Sequence, residues 1–402
     1  MTQGSRVITK KLSDYVGIPL ATTHVGRYPR PEWYSYDFED RSPSEVQAHD
    51  STLMERYKDA VKVVLKDQES IGLDLVNDGC LRYDEKSAVG EWWFNGFCRI
   101  GGLKRWTGKP EGEPVIKSLI TPEAWRSVVS YYSNFSHVPP TPDPQGWPQV
   151  WYTVEEEISF GKLDALVEFY NLSKPYTSKK MKFSIADVVL GGYPLIDRHY
   201  HDDAEVVFAL AKQYNRMLTR LASSGCRIIQ LDWPLAGLHH VANMMPVKPE
   251  IWRNLIAAFN EEVKGVDAQI WMHFCFGRIG DSLGLSSTET IKQLAQCKAD
   301  VIQIESASTQ GRFLKDELTA WKEHCSDKDL AIGVVSPYNL NSENPERPAE
   351  LIRRALQFVE PERLAITTDE GFRITRPRTE EKLRTLVEAA KIVRTSIPAT
   401  RH

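Results

Sequence analysis

Cysteine is scarce in this chain. The six present (Cys80, Cys98, Cys226, Cys275, Cys297 and Cys325) are scattered over 402 residues. A secreted disulfide scaffold would be denser, so a reducing cytoplasmic setting is expected. Positive charge is not in excess either. The net charge is -4, which leaves nothing to neutralise a phosphate backbone, so nucleic acid is not an expected partner. No apolar run approaches the ~20 residues of a membrane span, and Met1 to Asp14 lacks the apolar core of a signal peptide. A glycine-rich phosphate loop is missing after the first strand-like run, which removes the main support for an open, dinucleotide-binding sheet. No tandem repeat and no long low-complexity tract occurs.

What is present is an ordinary globular composition, 42% hydrophobic and 26% charged, in which strand-like and helix-like segments alternate. The strand candidates are Pro19–Thr23, Leu73–Asn77, Met181–Ile185, Arg227–Leu231, Gln269–His273, Asp300–Ile304, Leu330–Val335 and Leu364–Thr367. Helical candidates between them are Pro43–Ser70, Asp202–Ser223, Lys248–Lys264, Ser287–Gln296, Arg312–His324, Pro345–Val359 and Thr379–Thr395. Val46, Leu53, Met54, Tyr57, Val61, Val64 and Leu65 recur at helical spacing, and Pro43 beside Ser42 marks a helix start. Strands joined by helical crossovers predict an α/β fold, a TIM (β/α)8 barrel forming one domain over residues 1–402. The stretch 92–180 breaks the alternation with Trp92-Trp93-Phe94, Gly101-Gly102 and a proline-rich run from Pro139 to Pro144. It is too long for a βα loop. It reads as a large insertion after the second strand, over the barrel mouth, with a hairpin of its own. A substrate lid and a dimer-forming appendage are the two roles open to it. The eleven tryptophans suit core packing or an aromatic-lined pocket.

Chemistry in a parallel barrel sits where strands end. The strand ends here deliver His24 with Gly26-Arg27, Asn77-Asp78-Gly79-Cys80 with Arg82 behind, Asp232, His273 with Cys275, Glu305, Ser336 with Tyr338, and Asp369-Glu370-Gly371. His273-Phe274-Cys275 can aim an imidazole and a thiolate at one point. With Glu305 on the next strand they supply nitrogen, sulfur and oxygen, a set zinc accepts. Glu370, water or a substrate thiol would complete the site. A bare His-x-Cys more often marks a buried core pair, and the strand-end setting argues for metal. Asp232 either caps its loop or binds a substrate amine. Arg27 and Arg30 are candidate clamps for a carboxylate or phosphate, with surface solvation the plain reading for Arg30. Cys80 has no flanking base and reads as a free, partly buried cysteine. The adjacent His239-His240 point apart in either regular structure and are discounted.

These residues resemble a known family. Thr22-Thr23-His24-Val25-Gly26-Arg27-Tyr28-Pro29-Arg30-Pro31, Gln68-Glu69-Ser70-Ile71-Gly72-Leu73-Asp74 with Asn77-Asp78-Gly79, Ile229-Gln230-Leu231-Asp232-Trp233-Pro234, His273-Phe274-Cys275-Phe276-Gly277, Ile304-Glu305 and Thr368-Asp369-Glu370-Gly371-Phe372 are similar, in order, to motifs of the cobalamin-independent methionine synthase catalytic barrel and its relatives, among them the epoxyalkane:coenzyme M transferases. The resemblance implies that His273, Cys275 and Glu305 bind zinc and that Asp232 holds a substrate amino group. It implies a zinc-dependent methyl or alkyl transferase that holds a thiol as a metal thiolate, the stronger nucleophile. Glu370 stands where the family has a last cysteine ligand, Arg27 where it has serine, Cys80 where it has glutamate, and Ser336-Pro337-Tyr338 where it has an Asp-x-His. The chain is long enough for one barrel, so methyl transfer through a folate-binding half is not expected. Accordingly we expect metal ligation by His273, Cys275, Glu305 and Glu370, substrate binding by Arg27, Asp232, Asp78 and His24, and Tyr338 as general acid beside Asp232. The expected partners are a small thiol or carboxylate substrate, with a small molecule or a corrinoid protein as methyl donor and a homodimer as the assembly; a membrane is not among them. A lyase or hydrolase on the same barrel, and a non-catalytic binding homologue, are the rival readings.

Overall fold

Gln269–His273, Val301–Glu305, Asp329–Val335 and Leu364–Thr368 are buried along their whole length. Strands covered on both faces are the mark of a parallel sheet wrapped by helices. The structure, a computed structural model, describes residues 11–83, 96–107, 110–115, 150–187, 195–233, 249–274, 286–337, 339, 341 and 343–397. Its strands are β1 (Leu75–Val76), β2 (Gly101–Thr107), β3 (Val150–Ser159), β4 (Lys180–Ala186), β5 (Leu195–Asp197), β6 (Ile228–Asp232), β7 (Gln269–His273), β8 (Val301–Glu305), β9 (Asp329–Val335) and β10 (Leu364–Thr368). Its helices are α1 (Leu12–Val16), α2 (Pro43–His49), α3 (Ser51–Ile71), α4 (Asp164–Ser173), α5 (Asp203–Ser223), α6 (Pro249–Glu262), α7 (Thr288–Leu294), α8 (Leu314–His324), α9 (Glu346–Ala355) and α10 (Arg376–Arg394).

Seven strands pair in parallel in the order β1-β4-β6-β7-β8-β9-β10. The predicted first strand, Pro19–Thr23, fills the gap between β10 and β1. Thr22 bridges Ile366 in parallel, the Thr23 amide donates to the Ile366 carbonyl at 2.9 Å, and the Leu75 amide donates to the Thr22 carbonyl at 3.0 Å. The sheet therefore closes on itself, and the open-sheet alternative is ruled out. This stretch makes a single bridge rather than a ladder because Leu20 sits at φ 53°, outside the extended region.

The expected helix over 43–70 is two helices. Ser42 accepts from the Glu45 amide while Glu45 accepts from the Ser42 amide, and Pro43 takes the first turn. Asp50 then breaks the chain at φ -147° and caps α3 through the Leu53 amide. Tyr57, Val61, Val64 and Leu65 are at most 1% exposed, each worth about 1.5–3 kcal/mol of apolar burial. Within 92–180, β2 and β3 pair antiparallel, and β5, from the segment after β4, adds in parallel to β3. The same range also holds α4, the crossover helix between β1 and β4. Its Phe169 ring packs 4.8 Å from Phe38 and 5.5 Å from Tyr57.

The end of the barrel opposite the strand C-termini is plugged. Leu12 of α1 packs with Leu75, Ile228, Trp271, Val301, Ala331 and Ala365, and its amide donates to Asp329 Oδ2 at 2.6 Å. Trp151, Trp233, Trp271 and Trp321 are all buried, so these four tryptophans serve packing.

Candidate metal centre

In-register parallel neighbours present side chains on one face at one height. Asp232 is the register partner of His273, and both lie at the C-terminal ends of their strands. His273 Nδ1 stands 3.0 Å from Asp232 Oδ1, and His273 Nε2 stands 3.2 Å from the Asp369 carbonyl oxygen. Burial opposes charging of this imidazole. The hydrogen bond to Asp232, the Glu370 and Asp232 charges and the Asp369 carbonyl outweigh it, and its pKa is raised.

Glu305 ends β8, and the last expected ligand, Glu370, follows β10. One ligand atom from each of His273, Glu305 and Glu370 lies within 4.8 Å of the others. Glu370 Oε1 is buried with no hydrogen-bond partner among the described residues. An orphaned buried carboxylate oxygen beside an imidazole and a second carboxylate suits a divalent cation, which would satisfy all three. The Asp232–His273 pair is the kind of outer support that orients a ligating histidine. Cys275 and Tyr338 lie outside the described residues.

Asp369 ties these parts together. Its Oδ1 accepts from the Ser306 and Ala307 amides at 3.0 and 3.1 Å, and its Oδ2 from the Ser308 amide at 2.5 Å. The carboxylate thus clasps the loop that starts at Glu305, while its backbone carbonyl faces His273. Gly333 makes the clasp fit: a Cβ there would overlap Asp369 Oδ1 and stand 2.7 Å from its Cα.

The other expected site residues follow the first two strands of the barrel. Arg27 lies against Gly371, and its carbonyl accepts from the Phe372 amide at 2.9 Å, so the first and last loops of the barrel meet beside Glu370. Arg30 is a loop staple, donating to the Tyr36 and Leu81 carbonyls and pairing with Asp37 at 3.4 Å. Asp78 pairs with Arg82 at 2.5 Å, both side chains at 0% exposure. Cys80 is buried, and desolvation pushes its thiol up to about 12, which keeps it a thiol at neutral pH. His24 Nε2 lies 3.1 Å from both Gln68 Oε1 and Asn77 Nδ2. Desolvation, with help from the Lys182 charge and against the Gln68 hydrogen bond, lowers its pKa to about 3.

Sequence reasoning missed Lys182, which points into the barrel from β4 at 0% exposure. Desolvation lowers its pKa to about 7, with Asp232 and Cys80 opposing. A lysine inside a strand otherwise made of buried residues was the available signal. A cavity of about 710 Å³, lined by Ser308, Gln310, Arg312, Asn339 and Arg347 among others, opens between the loops after β8 and β9. It adjoins the clasped loop but contains none of the three clustered ligands.

A closed parallel barrel that gathers acid, imidazole and carboxylate at its C-terminal mouth defines an enzyme-type site on a (β/α)8 scaffold. Comparison with known proteins narrows this. Residues 169–392 match the catalytic domain of cobalamin-independent synthase, and the chain belongs to that methyltransferase family. A methionine synthase of Saccharolobus islandicus is 28% identical over 376 residues, covering 93% of this chain and 95% of that protein. One from Sulfurisphaera tokodaii is 26% identical over 379 residues, covering 93% of each. Among solved structures, a B12-independent methionine synthase from Shewanella sp. in complex with selenomethionine superposes with a TM-score of 0.70 at 20% identity, covering 94% of this chain and 98% of that one. A methyltransferase from Methanosarcina mazei gives 0.53 at 12% identity, covering 96% and 99%. These two likenesses speak to the fold. No helix among the described residues is long and apolar enough to cross a membrane.

Proposed function

We propose that this chain is a zinc-dependent methyl or alkyl transferase acting on a thiol, with His273, Cys275, Glu305 and Glu370 as ligands. The observation that carries the reading is the convergence of His273, Glu305 and Glu370 within 4.8 Å. Bound there, zinc would supply Lewis acidity, lowering the pKa of a substrate thiol so that its thiolate is the nucleophile at neutral pH. Asp232 has two tasks. Oδ1 orients His273, and the partly exposed carboxylate, 17% accessible, faces a substrate cation. Arg27 would orient a substrate anion beside Glu370, with His24 and Asp78 forming the buried wall behind. In the transfer the sulfur–carbon bond forms as the carbon–donor bond breaks, and the departing electron pair leaves with the donor, which Tyr338 would protonate. The donor on this reading is a small molecule or a corrinoid protein presented at the mouth. On this reading the β2–β3 hairpin within 92–180 covers that mouth or pairs subunits.

Metal analysis of the purified chain tests the reading. About one tightly held zinc per chain is expected, lost in Cys275→Ser with the circular dichroism unchanged. A folded chain that takes up no zinc overturns it, and unchanged zinc in Glu370→Ala removes Glu370 from the ligand set.

A further inference from the structure

A buried lysine needs a reason, because an ammonium taken from water costs several kcal/mol unless it is well compensated. Lys182 is fully buried beside the plug, its Nζ 4.9 Å from the Trp271 ring centre. Among the described residues its hydrogen bond goes to Gln230 Oε1. That bond fixes which way the Gln230 amide points, since Nζ donates and the amide oxygen accepts. Gln230 Nε2 must then face the other way. It donates to the Val25 carbonyl at 2.7 Å and to Asp232 Oδ1 at 2.7 Å. Asp232 Oδ1 in turn is the atom that meets His273 Nδ1. Four side chains from three adjacent strands therefore form one directed chain, Lys182 to Gln230 to Asp232 to His273.

We propose that Lys182 is a positioning residue for the metal-binding histidine, acting through Gln230 and Asp232. The inference rests on the metal-centre reading only for its consequence; the chain of hydrogen bonds exists without an ion. The Lys182 Nζ donor orients the amide, which in turn donates to Asp232 Oδ1. Asp232 accepts a hydrogen bond from Nδ1–H and so fixes the ring, with Nε2 on the edge that faces the Asp369 carbonyl. Without Lys182 the Gln230 oxygen loses its donor in a dry interior, and the Val25 carbonyl alone is left to hold the amide beside Asp232.

The test uses the full chain, metal-free, with isotopically labelled histidine. The Nδ1 proton of His273, assigned by its loss in His273→Gln, is expected to be protected from solvent exchange in the unaltered chain. In Lys182→Met its exchange should quicken about tenfold, the equivalent of losing one net hydrogen bond. Gln230→Glu supplies a second route: it keeps an acceptor for Lys182 but sets one carboxylate oxygen against Asp232, and the same quickening is expected. This variant decides the matter if Lys182→Met fails to fold. A lysine with a merely structural role would lower the melting temperature and leave the His273 proton unmoved; that result overturns the proposal. Zinc titration of the same samples separates the two readings. A chain that binds zinc should bind it about 10- to 100-fold more weakly in either variant. A chain that binds no zinc overturns the function proposed above, while the proton exchange still judges Lys182.

Discussion

At one end of the barrel Leu12, Leu75, Ile228, Val301, Ala331 and Ala365 close around Trp271. At the other end Asp232, His273, Glu305, Asp369 and Glu370 collect polar atoms, one of them with no partner among the described residues. The same strands build both ends. Trp271 and His273 are two residues apart on β7, and Ile228 and Asp232 four apart on β6, so each pair shares the inward face. The lower layer is packed, with the Leu12 amide paired to Asp329 Oδ2 and the Trp271 indole N–H to Gln269 Oε1. The upper layer is held in place by Asp369, Asp232 and the Lys182–Gln230 link, yet Glu370 Oε1 is buried there with no hydrogen-bond partner among the described residues. Stability is concentrated at the plug and the capacity to bind at the mouth, the division expected when a site is kept ready for a ligand.

Substitutions at the two ends should therefore separate stability from binding. The largest stability loss is expected from Trp271→Ala, about 3–5 kcal/mol by chemical denaturation. His24 comes next, between the two ends. Its pKa is about 3 in the folded chain against an ordinary 6.5. The unfolded chain therefore binds the extra proton first, and the stability His24 provides is complete above pH 6.5 and is lost as the pH falls toward 3. About 3 kcal/mol of it is lost by pH 4, and His24→Gln should flatten that acid limb in urea titrations run from pH 7 to pH 4. Asp232→Asn should weaken zinc binding about 10- to 100-fold in competition with a chelator while moving the metal-free melting temperature little. The smallest effect has the opposite sign. Glu370→Gln removes a carboxylate whose Oε1 is buried without a hydrogen-bond partner among the described residues and should stabilise the metal-free chain by about 1 kcal/mol even as it lowers metal affinity. A Glu370→Gln chain less stable than its parent would break the comparison, because it would make the mouth a structural element.

Much of this was legible from residue order. The apolar runs ending in His273, Glu305 and Thr368 were read as strands within a residue or two of their observed ends, because two-sided burial requires a continuous apolar stretch. The Ser42-Pro43 start of α2 was legible because capping is local chemistry. The break at Asp50 was not, since the helical periodicity runs straight through it and only the cap geometry shows two helices. The α1 plug was not legible either. Five residues with one buried leucine carry little pattern, and their place depends on a contact with Asp329, 317 residues away.

Sequence alone determined the strand-and-helix alternation and the identities of His273, Asp232, Glu305 and Glu370 at strand ends, since periodicity and turn chemistry act over a few residues. Tertiary structure decided which of those side chains face a common point, that Gly333 leaves room for the Asp369 clasp, and that Lys182 is driven into the interior to face Gln230. Those outcomes depend on strand register and barrel closure, which bring together atoms far apart in the chain and cannot be read from any one segment.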